Sequence, residues 1–259
     1  RRQRQMCIRD RSTGVLLYCS NTPTYDYHRI AERCVELIKK NLKLEITIVT
    51  DAETFKKFKP LGMINYKLIE PELGNKRNKE QWNQLERCYA YEHSPYDTTI
   101  LMDCDYFCYT DNLLTYTNID NDFLIHDKIH DLTGKDVYNF RQDSIIPMLW
   151  ATVIVFKKTH RAKRIFDMVK YIKQHYQYFC KLYRISFPNF RNDYAFSMAM
   201  NQVNGNTQQT FLPGKIPTLP ALAKILEVKD TGIVFEYDDK INEIENQDVH
   251  LISKEIFNV

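Results

Sequence analysis

The sequence predicts an α/β fold with a mostly parallel central sheet flanked by helices, and three observations carry that expectation. Apolar, strand-like runs alternate with segments of helical period through the first half of the chain. Each such run ends in polar or acidic residues: Asn21, then Asp51, then the pair Asp103 and Asp105. Ligands of parallel α/β sheets collect at the carboxyl ends of the strands, so these residues are expected along one edge.

Taken in order, "GVLLYCS" (14–20) reads as a short strand, followed by the turn "NTPTYD". "DYHRIAERCVELIKKNL" places Ile30, Cys34, Leu37, Ile38 and Leu42 at helical spacing, with basic residues in its last turn. "LEITIVTD" (44–51) is a second strand, and "NKEQWNQLERCYAYEHS" (78–94) a second helix that Pro95 terminates. "TTILMDCD" is the third strand. The second half is less regular. Residues 125–142 read as a polar loop, 146–158 as a strong strand, 162–183 as a long helix and 191–205 as a shorter helix opened by Asn192-Asp193. "TFLPGKIPTLPALAKI" is broken by Pro, and "GIVFEYD" and "DVHLISK" are late strands or loops. No internal repeat or low-complexity linker divides the chain, so one domain over 13–259 is expected.

Composition narrows the function classes. With 44% apolar and 27% charged residues in 259, the chain has the make-up of an ordinary globular protein with a real core. No apolar run approaches the ~20 residues of a membrane span. Seven Cys, odd in number and scattered, lack the spacing of a disulfide framework or a zinc site and read as reduced thiols of a cytoplasmic protein. Residues 1–12, "RRQRQMCIRDRS", show neither apolar period nor turn chemistry, and "QMCIRD" is what a transposase adapter used in library preparation encodes. They are expected to be an assembly artefact from a metagenome, disordered and outside the domain, with the true N-terminus left open. They hold five Arg and one Asp, a net of +4, so the formal charge of +3 becomes −1 without them. Charge therefore gives no indication of nucleic-acid binding.

The strand ending in Asp103-Cys104-Asp105 raises the central question. Alternation would put both carboxylates on one side of an extended chain, where they repel each other and resist leaving water. Something positive is expected between them. A hard divalent cation such as Mg²⁺ or Mn²⁺ takes carboxylate oxygens and shares its shell with substrate phosphates.

"SPYDTTILMDCDYFCYTDNL" is similar to the D-x-D segment of GT-A glycosyltransferases, in particular the group of glycogenin and the bacterial lipopolysaccharide galactosyltransferases. "WATVIVFKK" resembles that group's central strand, "RNDYAFSMAM" its helix start beside the donor sugar, and "VHLISK" its closing H-x-x-G-x-K segment. In order, these cover roughly residues 14–256. The resemblance implies a GT-A (nucleotide-diphospho-sugar transferase) fold in a phage-type member of the group. It implies a metal-dependent glycosyltransferase, using Mn²⁺ or Mg²⁺ and a nucleotide-diphosphate sugar, UDP-sugars first, with an unknown hydroxyl as acceptor. Carried over by position, Asp103, Asp105 and His250 would hold the metal and Lys254 would meet the diphosphate. Ile252-Ser253 stands where the group has Gly, a departure at the phosphate approach. Ser20, Asn21, Thr22 and Asp51 would face the base or ribose, although an acid at Asp51 also suits a plain helix cap. Arg77, and less so Arg87, would pair with phosphate. Asp193 would orient the sugar or take the acceptor's proton, which leaves inversion and retention both open. Trp150 would line the acceptor side or simply fill the core.

Two other readings stand beside this one. In a haloacid-dehalogenase-type phosphohydrolase the first Asp is a nucleophile, but that motif belongs on the first strand with Thr or Val at the position of Phe107. A nucleotide-sugar-binding protein without catalysis is the other. Phage relatives keep nucleic acid, lipopolysaccharide and virion protein open as acceptors, in a host cytoplasm.

Overall fold

The computed structural model describes residues 12–70, 72, 76–77, 80–81, 83–135, 144–186, 189–205 and 211–257, with the side chains of 76–77, 80–81 and 83–85 left aside. The expectation for residues 1–12 thus lies outside the described residues, apart from Ser12.

The chain opens with β1 (Thr13–Tyr18), α1 (Tyr27–Leu37), β2 (Glu45–Thr50), α2 (Ala52–Phe55) and β3 (Asn65–Leu68). A small hairpin of β4 (Lys76–Arg77) and β5 (Glu80–Gln81) precedes α3 (Ala90–His93), β6 (Thr98–Asp103) and β7 (Tyr106–Phe107). Then come α4 (Asn112–Thr117), β8 (Phe123–His126), β9 (Ile129–Asp131) and β10 (Trp150–Lys157). Three helices follow: α5 (His160–Gln174), α6 (Tyr176–Leu182) and α7 (Asn192–Val203). The last strands are β11 (Ile216–Leu219), β12 (Lys224–Val228), β13 (Gly232–Tyr237), β14 (Lys240–Glu245) and β15 (Val249–Leu251).

The central sheet has the order β3-β2-β1-β6-β10-β8, parallel from β3 to β6, with β10 running against both of its neighbours. Its two faces are read directly from period-2 alternation. Val15, Leu17, Ile46, Ile48, Ile100 and Met102 pack with α1 residues such as Ile30, Cys34 and Leu37. Leu16, Tyr18, Val49 and Leu101 pack with Phe166 of α5 and Phe196 of α7. The α/β class, a mostly parallel sheet with helices on both faces, is as the sequence predicts. A second sheet, β7-β15-β11-β9, continues from the carboxyl end of β6, and β12-β13-β14 form a third. The six described cysteines are buried, and none forms a disulfide among the described residues.

Several elements differ from expectation. The helix expected over 78–94 is a 3₁₀ segment, Asn83–Tyr89, leading into the single turn of α3. Glu86, Arg87 and Cys88 are buried in succession, which a helix with one apolar face does not allow. The long helix breaks at His175 (φ −118°, ψ 31°) into α5 and α6, with neither Pro nor Gly to mark the place. The polar 125–142 stretch contains β9, and its residues 136–143 lie outside the described residues. The D-x-D strand is the fourth of the parallel set in chain order, because β3 precedes it. It also ends at Asp103: Cys104 and Asp105 form a turn into β7. The two carboxylates are therefore brought together by a turn rather than by strand alternation.

Candidate metal and donor site

Parity along β6 fixes Asp103. Ile100 and Met102 face α1, whereas Leu101 faces α5 and α7, so Asp103 points toward α7. There its Oδ1 accepts from Arg87 Nη1 at 2.5 Å, while Arg87 Nη2 donates to the Ala151 carbonyl at 2.5 Å. Ala151 in turn donates its N–H to Asp193 Oδ1 at 2.9 Å, and Arg191 Nη2 donates to Asp193 Oδ2 at 3.0 Å. Asp193 lies one residue inside α7, whose N-cap position is Arg191. Its carboxylate is thus tied to the start of β10 and to Arg191.

Asp105 is positioned from the other end of the chain. Antiparallel pairing of β15 with β7 sets His250 opposite Tyr106, and the Leu251 N–H donates to the Asp105 carbonyl at 2.9 Å. His250 Nε2 then lies 3.5 Å from Asp105 Oδ1, and Lys254 Nζ lies 2.8 Å from Asp105 Oδ2. His250 is buried within β15.

Ligand atoms of Asp103, Asp105 and His250 all fall within 4.8 Å of one another, the one such group among the described residues. Two hard carboxylates with one imidazole suit Mn²⁺, and the carboxylates by themselves suit Mg²⁺. Asp105 Oδ1 is buried without a hydrogen-bond partner and faces His250 Nε2, so a cation between the carboxylate and the imidazole would satisfy an oxygen that the chain leaves unpaired. The residues present fit such an ion.

Electrostatics separate the two acids. Burial lifts Asp103 to about 6 against the pull of Arg87, with the charge of Asp105 adding to the rise. Burial would raise Asp105 as well, but Lys254 and His250 outweigh it and hold that carboxyl well below the usual range. The positive charge expected beside the pair is in part the protein's own.

The remaining predicted residues form a second cluster along the same sheet edge. Tyr18, the last residue of β1, is level with Val49 on one side and Asp103 on the other, so Ser20 and Asp51 line up beside the D-x-D turn. Asp51 is the N-cap of α2: it accepts from the Thr54 N–H at 2.8 Å, the Thr54 hydroxyl at 2.9 Å and the Ser20 hydroxyl. Burial raises its carboxyl, but these donors together hold it below its ordinary value. Asn21 caps α1 from a distance, its Oδ1 accepting from the His28 N–H at 2.9 Å, and Thr22 Oγ1 accepts from the Tyr25 N–H at 3.0 Å. Arg77 is in β4, and its side chain lies outside the described residues. Trp150 is buried in the core cluster that includes α1. Arg87 is bonded to Asp103 and Ala151, partners that only the folded geometry reveals.

No family profile matches the chain, and no curated protein sequence matches it significantly. Solved structures do. The galactosyltransferase LgtC, in complex with donor and acceptor sugar analogues, is 13% identical over 72% of this chain and 70% of its own, with a TM-score of 0.48. Mouse xyloside xylosyltransferase 1 is 10% identical over 77% and 85%, at 0.49. The glycosyltransferase GlyE of Streptococcus pneumoniae TIGR4 is 16% identical over 78% of this chain and 46% of its own, at 0.44. These neighbours are glycosyltransferases, and the site described above stands on its own geometry.

Proposed function

We propose that the chain is a metal-dependent glycosyltransferase of GT-A type that moves a sugar from a nucleotide-diphosphate donor to a hydroxyl acceptor. The observation that carries this reading is the meeting of Asp103, Asp105 and His250 within 4.8 Å at the carboxyl edge of a parallel sheet. In this reading the three residues hold Mn²⁺ or Mg²⁺, and the chemistry such an ion supplies is neutralisation of the charge on the departing nucleoside diphosphate. Lys254 adds a second positive charge on the same side. Ser20, Asn21, Thr22 and Asp51 present the polar turns that meet the base and ribose, and Arg77 is the proposed phosphate-binding residue. Asp193, fixed by Ala151 and Arg191, orients the sugar or receives the acceptor's proton. A UDP-sugar is the first donor to test.

The folded unit is proposed to be one domain over 13–259. A phage-type origin and a cytoplasmic location rest on the sequence reading. No described helix is long and apolar enough to cross a membrane. Nothing in the geometry favours the phosphohydrolase alternative.

The test is donor binding and hydrolysis across a panel of UDP-, GDP- and CMP-sugars, with and without Mn²⁺, beside Asp105→Ala. Metal-dependent turnover of one donor, lost in the variant, is the expected result. If no nucleotide binds and Asp105→Ala behaves as the parent does, the carboxylates are structural and the reading falls.

A further inference from the structure

We infer that Lys254 and the divalent ion compete for Asp105, so that the ion binds tightly only together with a diphosphate. This rests on the metal-dependent reading above and concerns how that site is controlled.

Each acid of the pair already has a resident cation: Lys254 Nζ at 2.8 Å from Asp105 Oδ2, and Arg87 Nη1 at 2.5 Å from Asp103 Oδ1. Lys254 and Asp105 side chains are each only 11% exposed, so water screens their attraction weakly. Two carboxylates matched by two cations are formally neutral. A divalent ion added to that set leaves a local charge of +2 in a poorly screened place, which is strongly repulsive unless a cation leaves or a polyanion arrives.

The two resident cations are not equally free to respond. Arg87 is 3% exposed and held at its second nitrogen by the Ala151 carbonyl. Lys254 has, besides Asp105, a long 3.4 Å contact to the Ile252 carbonyl and the ring of Tyr27 at 5.8 Å. It ends a flexible four-carbon stem and donates as a point charge, without a fixed fork. Lys254 is therefore the group that moves. A diphosphate cancels the excess charge and gives the ammonium a new partner, so ion and diphosphate each tighten the other by the same factor. This makes Lys254 the residue that sets the coupling between them.

The test uses Mn²⁺ alone and then UDP, with free Mn²⁺ followed by electron paramagnetic resonance and heats by calorimetry. Wild type, Lys254→Met, Lys254→Gln and Asp105→Asn are compared, each checked for a cooperative thermal transition. Without UDP, Lys254→Met is expected to bind Mn²⁺ at least about tenfold more tightly than wild type. The factor by which UDP tightens Mn²⁺ should shrink by at least about tenfold. Lys254→Gln, which keeps a polar tip, should show the same directions and serves if the Met variant does not fold. Equal or weaker Mn²⁺ binding by a folded Lys254 variant overturns the competition while leaving the metal site intact. If Asp105→Asn binds Mn²⁺ as wild type does, the ion is elsewhere, and both the competition and the metal reading fail.

Discussion

Asp51 has two roles open to it, and they make different demands on its carboxylate. As N-cap of α2 it needs an oxygen for the Thr54 N–H, which Asn supplies as well as Asp does. As a contact for base or ribose it needs its charge or its second oxygen. Asp51→Ala is expected to lower unfolding free energy by about 1 kcal/mol, whereas Asp51→Asn should leave it nearly unchanged. Urea melts of both variants, read beside UDP affinity, separate the roles. A drop in affinity with Asn at full stability assigns Asp51 to the nucleotide; unchanged affinity in both variants leaves it a cap. Arg87 shows the same ambiguity at a neighbouring site. Its type and position suggest phosphate pairing, but a buried guanidinium with carboxylate and carbonyl partners is already satisfied on two sides.

Elements decide what the residues alone cannot. The β7–β15 pair carries His250 to Asp105, and β13 helps hold that region because the Tyr109 hydroxyl, just past β7, donates to the Gly232 carbonyl. Gly232 begins β13 where a Cβ would come within 1.8 Å of the Ile244 carbonyl oxygen on β14. Backbone cannot yield there as a side-chain tip would, so Gly232→Ala should force the strands apart. A loss of about 1–3 kcal/mol or more is expected in chemical denaturation. Wild-type stability would show that β13 and β14 are not paired in this register. Such close approaches cannot be read from one glycine in a sequence. The elements that were legible are the continuous apolar runs β1, β2, β6 and β10, the amphipathic helix α1, and α7, whose start is marked by Asn192-Asp193. Those that escaped are edges: Asn65–Leu68 is a partly exposed "NYKL", and in Lys240–Glu245 only Ile244 is buried. An edge strand is specified by the neighbour it pairs with, so its own residues carry little signal.

At the scale of the whole molecule, stability should depend on pH through a buried histidine. Burial holds His126 at about 4, below an ordinary value of 6.5, and the side chain is 3% exposed. As pH falls below about 6.5 the unfolded chain takes up a proton that the folded chain refuses, so stability falls until about pH 4 and then levels off. Between pH 7 and pH 5 this amounts to roughly 2 kcal/mol. Urea titrations of wild type and His126→Asn over that range should differ in slope, the variant being flatter. Parallel profiles would mean that His126 is accessible to protons in the folded protein. The site at this scale was half legible. Asp103 and Asp105 announce themselves, because paired acids closing an apolar strand need a cation. His250 and Lys254 have no such local signal; similarity of "VHLISK" to a known segment was the one pointer. The link from Asp103 through Arg87 and Ala151 to Asp193 was invisible, since it runs through a main-chain group that any residue would supply.

The pairing of β7 with β15 also sets a timetable. On the ribosome, Asp103 and Asp105 emerge soon after Arg87, long before His250 and Lys254 have been translated. The counter-charge of one acid is already in the chain when it emerges, and that of the other is absent until the intervening helices and strands are made. Until then Asp105 belongs to a nascent chain with half of its compensation missing, and β9 and β11 lack the strand that joins them to β7. Completion of the acidic centre thus comes late in the birth of each molecule, after the parallel sheet that supports it can already have formed.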